Sequence, residues 1–315
     1  MLAAALTLAA TSAVAQDYPN RQITFIVPYP PGGSTDLIAR AVAEPLRERL
    51  GQPVIVENRV GGGGVVGLEA AARAQPDGYT IVLGGTGNVT IAALGSAKNI
   101  DPINDLKPVG IIGEVPNVLS AGPSANMNSL KEVIDRAKAA PGTLNFAHPG
   151  NGTPAHLLIA LLGQEAKIDI VAVPYRGNQP AATDLLGGHV PLMFGNLAGT
   201  LPFMEGGKLK MLATTGKKRS SFTPEIPTFS ESGLGPGFDT GVWAGIMVPK
   251  GTPDTIVAKL SENLDAVLKL PVTVQRLKQL GTEITFGGPE EYSKRMKFEY
   301  ELWKKVVTDA NIKPD

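Results

Sequence analysis

Short apolar runs alternate along this chain with helix-period segments, and loops rich in glycine and proline separate them. Ile23–Val27 reads as a buried strand. It runs through 28–34 into a helix over about 36–50, which Gly51 ends. A second strand over 54–57 precedes glycines 61–64, a small-residue helix over 65–74 and the Pro76-Asp77-Gly78 turn. A third strand over 80–83 opens into the loop Gly84-Gly85-Thr86-Gly87-Asn88. This alternation predicts a parallel sheet covered by helices on both faces.

The stretch 109–121 reads as extended, interrupted by Gly113 and Pro116. Ser129 and Glu132 form a capping box for a helix to about 139. Alternation then restarts, with strands over 144–147, 170–173, 190–194 and 209–214 and helices over 154–166, 179–186 and 198–205. Segment 242–248 is again extended. Thr252 as N-cap and Pro253 as first helical residue open a helix to about 268. Helices over 271–280 and 289–309 follow, the last turning Tyr292, Met296, Tyr300 and Trp303 toward a core.

The extended segments near 113–121 and 236–245 bracket the middle unit and read as two crossovers between lobes. The expected division is 16–117 with 241–315 in lobe one and 118–240 in lobe two, with a hinge between them. A length of 315 residues suits two medium cores.

Composition narrows the function. Formal net charge is zero and 18% of residues are charged, which leaves a nucleic-acid or membrane-surface role unsupported. The absence of cysteine excludes disulfides, thiol catalysis, Fe–S ligation and a lipidated cysteine. Residues 1–15 read as a signal peptide cleaved after Ala13-Val14-Ala15, although a basic n-region is missing. Export to the periplasm and a monomeric state are expected.

Three loops could bind a small anion through backbone N–H groups at helix starts. The first holds Tyr29, Pro30, Pro31, Gly32, Gly33 and Ser34, where Ser34 or Thr35 could cap the helix; an ordinary tight turn is the alternative. The second is Gly150-Asn151-Gly152-Thr153, whose last three N–H groups could form a nest before Pro154. The third, Tyr175-Arg176-Gly177, adds an aromatic wall and a cation, with Arg176 either a counter-charge or a surface group. Thr86, Gly87 and Asn88 could supply further donors. His156 could touch a ligand or be structural. Tyr29, Tyr175, Phe194 and Trp243 could line a slot for an aromatic acid or belong to the core.

Enzymatic signals are missing. His148, His156 and His189 lack the H-E-x-x-H spacing, and neither a G-x-S-x-G elbow nor a phosphate loop occurs. Gly62 to Gly67 matches G-x-G-x-x-G, but no Asp or Glu lies between Gly78 and Ile100 to hold a ribose. No cofactor or metal is expected. The lysines and Arg219 within 208–219 read as a solvated face or a docking patch.

At these motifs the chain resembles the Bug family of tripartite tricarboxylate receptors. The matching pieces are Pro31-Gly32-Gly33-Ser34-Thr35-Asp36 with Arg40, the run from Gly51 to Arg59, Pro76-Asp77-Gly78-Tyr79-Thr80, the run from Gly150 to Leu157, Pro174-Tyr175-Arg176-Gly177, and the run from Asp184 to Val190. The resemblance implies a type II periplasmic-binding-protein-like fold, two α/β lobes joined by two crossover strands with a ligand cleft between. It implies a solute-binding protein that captures an organic carboxylate by hinge closure and hands it to the membrane subunits of a tripartite tricarboxylate transporter. Family ligands range from aliphatic di- and tricarboxylates through acidic amino acids and nicotinate to aromatic dicarboxylates. Carried over by position, the site comprises the three loops, Thr86 to Asn88, and Asn196. A sensor for a signalling receptor and an exported hydrolase or isomerase remain as alternatives.

Overall fold

The computed structural model describes residues 18–203, 209–239 and 241–313; the expected signal segment and Lys208 lie outside them. The chain runs β1 (Ile23–Val27), α1 (Ser34–Leu50), β2 (Val54–Asn58), α2 (Val65–Ala72), β3 (Thr80–Gly85), α3 (Thr86–Leu94) and β4 (Leu106–Val115). It continues through β5 (Asn117–Ala121), α4 (Leu130–Ala139), β6 (Asn145–His148), α5 (Pro154–Ala166), β7 (Val171–Pro174), α6 (Asn178–Leu186), β8 (Leu192–Asn196), α7 (Leu197–Thr200) and β9 (Lys210–Thr214). It returns through β10 (Val242–Pro249), α8 (Asp254–Leu268), α9 (Pro271–Gln279), β11 (Glu283–Gly287) and α10 (Pro289–Asp309).

Two sheets result, ordered β11-β4-β10-β3-β1-β2 and β7-β6-β8-β5-β9. The sheets are mixed, which corrects the all-parallel expectation. β1 pairs in parallel with β2 and β3, and β6 with β7 and β8. β10 runs antiparallel to β3 and β4, and β5 antiparallel to β8 and β9. β10 and β5 each arrive from the other sheet, so no βαβ crossover dictates their direction; β11, antiparallel to β4, follows β10 through α8 and α9 in the same sheet. The stretch 109–121 is two strands in different sheets, because Pro116 has no N–H to continue the ladder.

Three local expectations fail. The segment read as the 84–88 loop contains the start of α3. β11 follows α9, where the sequence reading placed no strand. Thr252 does not cap α8: its hydroxyl donates to the Pro249 carbonyl at 2.8 Å, and the helix starts at Asp254.

α1 and α8 cover the first sheet around Phe25, Ile112 and Leu264. A second core spans both sheets through α3, α5 and α10, and includes Leu119, Phe146, Tyr292, Met296 and Trp303. Gln164 of α5 donates to the Val306 carbonyl of α10 at 3.3 Å, tying the two α/β units together. Among the described residues, no helix is long and apolar enough to cross a membrane.

Candidate functional site

The chain brings strand ends and helix starts from both sheets around a cavity of about 720 Å³. Of the expected site residues, Tyr29, Ser34, Thr86, Gly87, Asn88, Asn151, Gly152, Thr153 and Asn196 line it. Pro30, Pro31, Gly32, Gly33, Gly150, His156, Tyr175, Arg176 and Gly177 do not. Among the described lining residues, Glu69 is the one charged side chain. Any affinity for an anion therefore comes from dipoles and neutral donors.

Asp36 sets the Tyr29 loop. Its buried carboxylate accepts from Gly32 N–H and Arg40 Nε, each at 2.9 Å, and from Asn58 Nδ2 at 2.9 Å. Asn58 also donates to the Tyr29 carbonyl at 3.0 Å. Burial alone would raise the Asp36 pKa; the Arg40, Gly32 and Asn58 donors outweigh it and hold the carboxyl below its ordinary value. Neither Ser34 nor Thr35 caps α1, whose N-cap is Gly33. The Ser34 and Thr35 side chains stay free of that duty at the cavity edge.

At α3, the Gly85 N–H donates to Asn88 Oδ1 at 3.1 Å and Asn88 Nδ2 donates to the Pro102 carbonyl at 3.3 Å. Asn88 thus turns the strand-to-helix corner, and only its backbone N–H is offered to a ligand. Thr86 Oγ1 accepts from the Trp243 backbone N–H at 2.9 Å, so its own O–H remains to donate. Tyr29 reaches over this helix start: a Cβ on Gly87 would stand 2.0 Å from the phenol oxygen. Burial pushes the Tyr29 pKa up to about 12, so the phenol keeps its proton. Two hydroxyls and the first-turn N–H groups of α3 converge here.

The expected nest at α5 is corrected. Gly152 N–H donates to His156 Nδ1 at 3.2 Å, and Thr153 N–H to the Gly150 carbonyl at 3.4 Å. Thr153 Oγ1 donates to that carbonyl at 2.7 Å and accepts from His156 N–H at 3.4 Å. The cap takes the Gly152 and Thr153 N–H groups for itself, so these two are not open to an anion. His156 stacks on His148, with centroids 4.6 Å apart and planes at 6°. Tyr175 donates its hydroxyl to Asp184 at 2.8 Å, Arg176 is exposed, and Phe194 belongs to the core. Asn196 caps α7, its Oδ1 accepting from Gly199 N–H at 2.7 Å, which leaves its amide N–H groups as donors at the wall.

His148 is fully buried, and burial followed by the neighbouring His156 lowers its pKa to about 4. The unfolded chain binds a proton near pH 6.5 that the folded chain refuses. Stability from this group is complete above that pH and is lost as pH falls toward 4, by about 3 kcal/mol. Urea unfolding across that range should show the loss, and His148→Phe should flatten it.

The sequence reading missed Val65, Val66, Ile91 and Leu94 as lining residues. The glycines before Val65 were the available signal: they mark a close backbone approach without saying to what. Trp243 lines the cavity as one of the four aromatics considered for a slot. Among the described residues, no group of three acidic or histidine side chains could hold a metal.

Residues 38–312 match the family model described as tripartite tricarboxylate transporter family receptor. Protein BugT of Bordetella pertussis is 36% identical over 301 residues, covering 95% of this chain and 92% of BugT. The structure of R. palustris Rpa4515 with adipate is 34% identical with a TM-score of 0.78, covering 95% of this chain and 100% of that one. MatC from Rhodopseudomonas palustris with bound malate is 32% identical with a TM-score of 0.74, covering 92% and 100%. The architecture is type II periplasmic-binding-protein-like, and the family consists of solute-binding receptors, not enzymes. The chain belongs to the tripartite tricarboxylate transporter receptor family, the Bug proteins.

Proposed function

We propose that this receptor captures a small organic carboxylate in the periplasm, as a monomer, and delivers it to the membrane subunits of a tripartite tricarboxylate transporter. Lobe one comprises 16–117 and 241–315 and lobe two 118–240; closure about the two crossovers encloses the ligand. The carboxylate sits at the α3 start, against the Tyr29 and Thr86 hydroxyls and the N–H groups of Gly87 and Asn88, with Ser34, Gly152, Thr153 and Asn196 around it.

The observation that carries this reading is the convergence of uncharged donors on one end of a cavity with an apolar remainder. Relatives bound to adipate and malate support a carboxylate. Three or four hydrogen bonds to a charged group, each contributing roughly 1.5–3 kcal/mol before association costs, suffice for micromolar affinity. A thermal-shift panel of malate, adipate, citrate, benzoate and terephthalate tests it. At least one acid should raise the midpoint in proportion to log concentration. A flat response to the whole panel would contradict the reading.

A further inference from the structure

Trp243 stands where β10 re-enters the first sheet, opposite Glu114 of β4 in the ladder. Its indole Nε1–H donates to Glu299 Oε2 at 2.8 Å. The other Glu299 oxygen accepts from Arg295 Nε at 2.9 Å, one turn away on α10. The Arg295 guanidinium lies 4.9 Å from the indole centroid and also pairs with Glu114. Tyr292 meets the ring edge-on at 4.8 Å. The indole is therefore held at its N–H, its face and its edge, while it lines the cavity.

Stability does not account for this arrangement. Glu299 is 1% exposed, and apolar side chains of similar volume would fill the inner face of α10 at lower desolvation cost. Charge complementarity does not account for it either. One cation and two carboxylates place a net negative charge behind the wall of a site for an anion. What the cluster does supply is a single orientation for a large flat side chain.

We propose that Glu299 and Arg295 are positioning residues that fix the Trp243 indole as a rigid wall of the ligand cavity and tie it, through Glu114, to the first crossover. The inference rests on the carboxylate-receptor reading. The chain has two tryptophans, and the buried Trp303 Nε1 makes no hydrogen bond among the described residues, so the two indole N–H resonances separate in a ¹⁵N spectrum.

Glu299→Ala should move the Trp243 indole resonance upfield and raise by about tenfold the Kd of whichever panel acid binds the wild type. Glu299→Gln keeps an acceptor and should stay within about threefold of wild type. An unmoved indole resonance, or binding by Glu299→Ala as tight as wild type or tighter, would overturn the proposal; tighter binding is what removal of a repelling charge alone would give. Should Glu299→Ala not fold, the indole signal of Glu299→Gln decides: a neutral acceptor moves it upfield, and no movement overturns the inference. If no panel acid binds the wild type, the receptor reading fails by itself, and the indole signal still decides the positioning role.

Discussion

Arg295→Met is expected to lower the free energy of unfolding by about 3–5 kcal/mol, because it strands buried carboxylates that the guanidinium now neutralises. Glu299 is 1% exposed and Glu114 is 17% exposed, so water solvates neither well. Burial alone would lower the Arg295 pKa, but Glu299 and Glu114 raise it, so the cation is present at every working pH. The loss should appear as an earlier urea midpoint at unchanged slope. Lys294→Ala, which removes an exposed pair with Glu290 at the neighbouring position of α10, is the control and should leave the midpoint close to wild type. A loss below about 1 kcal/mol in Arg295→Met would mean that water or another cation reaches the cluster.

Gly87→Ala is expected to raise the Kd for the bound acid by about thirtyfold, equivalent to ~2 kcal/mol. The new Cβ would stand 2.0 Å from the Tyr29 phenol oxygen, an overlap that only movement of the ring relieves. The nearest ring carbon is 3.3 Å from the Gly87 Cβ position, so removing the hydroxyl removes most of the clash. Tyr29→Phe combined with Gly87→Ala should therefore bind better than Gly87→Ala alone, a coupling that a double-mutant cycle isolates. If the double variant is no better than the single, Tyr29 does not stand over the α3 start in solution.

Where one periodicity and its terminal signals agreed, the sequence revealed the element. α5 begins at Pro154 after its Thr153 cap, and α10 spans the full stretch expected of it. Where glycine dominated, the reading failed. Gly85-Thr86-Gly87 resembles a loop, yet β3 runs through Gly85 and α3 starts at Thr86, because Asn88 caps back onto Gly85 and Trp243 holds Thr86 from the neighbouring strand. That second partner is 157 residues away in sequence. The direction of β5 and β10 was hidden for a related reason: a strand pattern carries no arrow, and only its origin in the other sheet sets its sense.

The candidate site was half legible. Tyr29, Thr86 and Asn196 stand at or just beyond strand ends, a position that already suggested ligand contact. The nest at 151–153 looked equally good by composition, but the His156 ring and the Gly150 carbonyl take the Gly152 and Thr153 donors, contacts that spacing does not encode. Tyr175 and Arg176 follow a strand too, yet β7 is the outer strand of its sheet and its following loop does not line the cavity.

The most direct test follows the backbone amides of Gly87 and Gly152 by ¹⁵N NMR while a binding carboxylate is titrated. The account predicts that both resonances move and saturate with one Kd, the Gly87 amide by hydrogen bonding and the Gly152 amide by enclosure. Saturable binding that moves neither resonance, or one unit's resonances alone, would contradict a carboxylate held between the two halves of the chain.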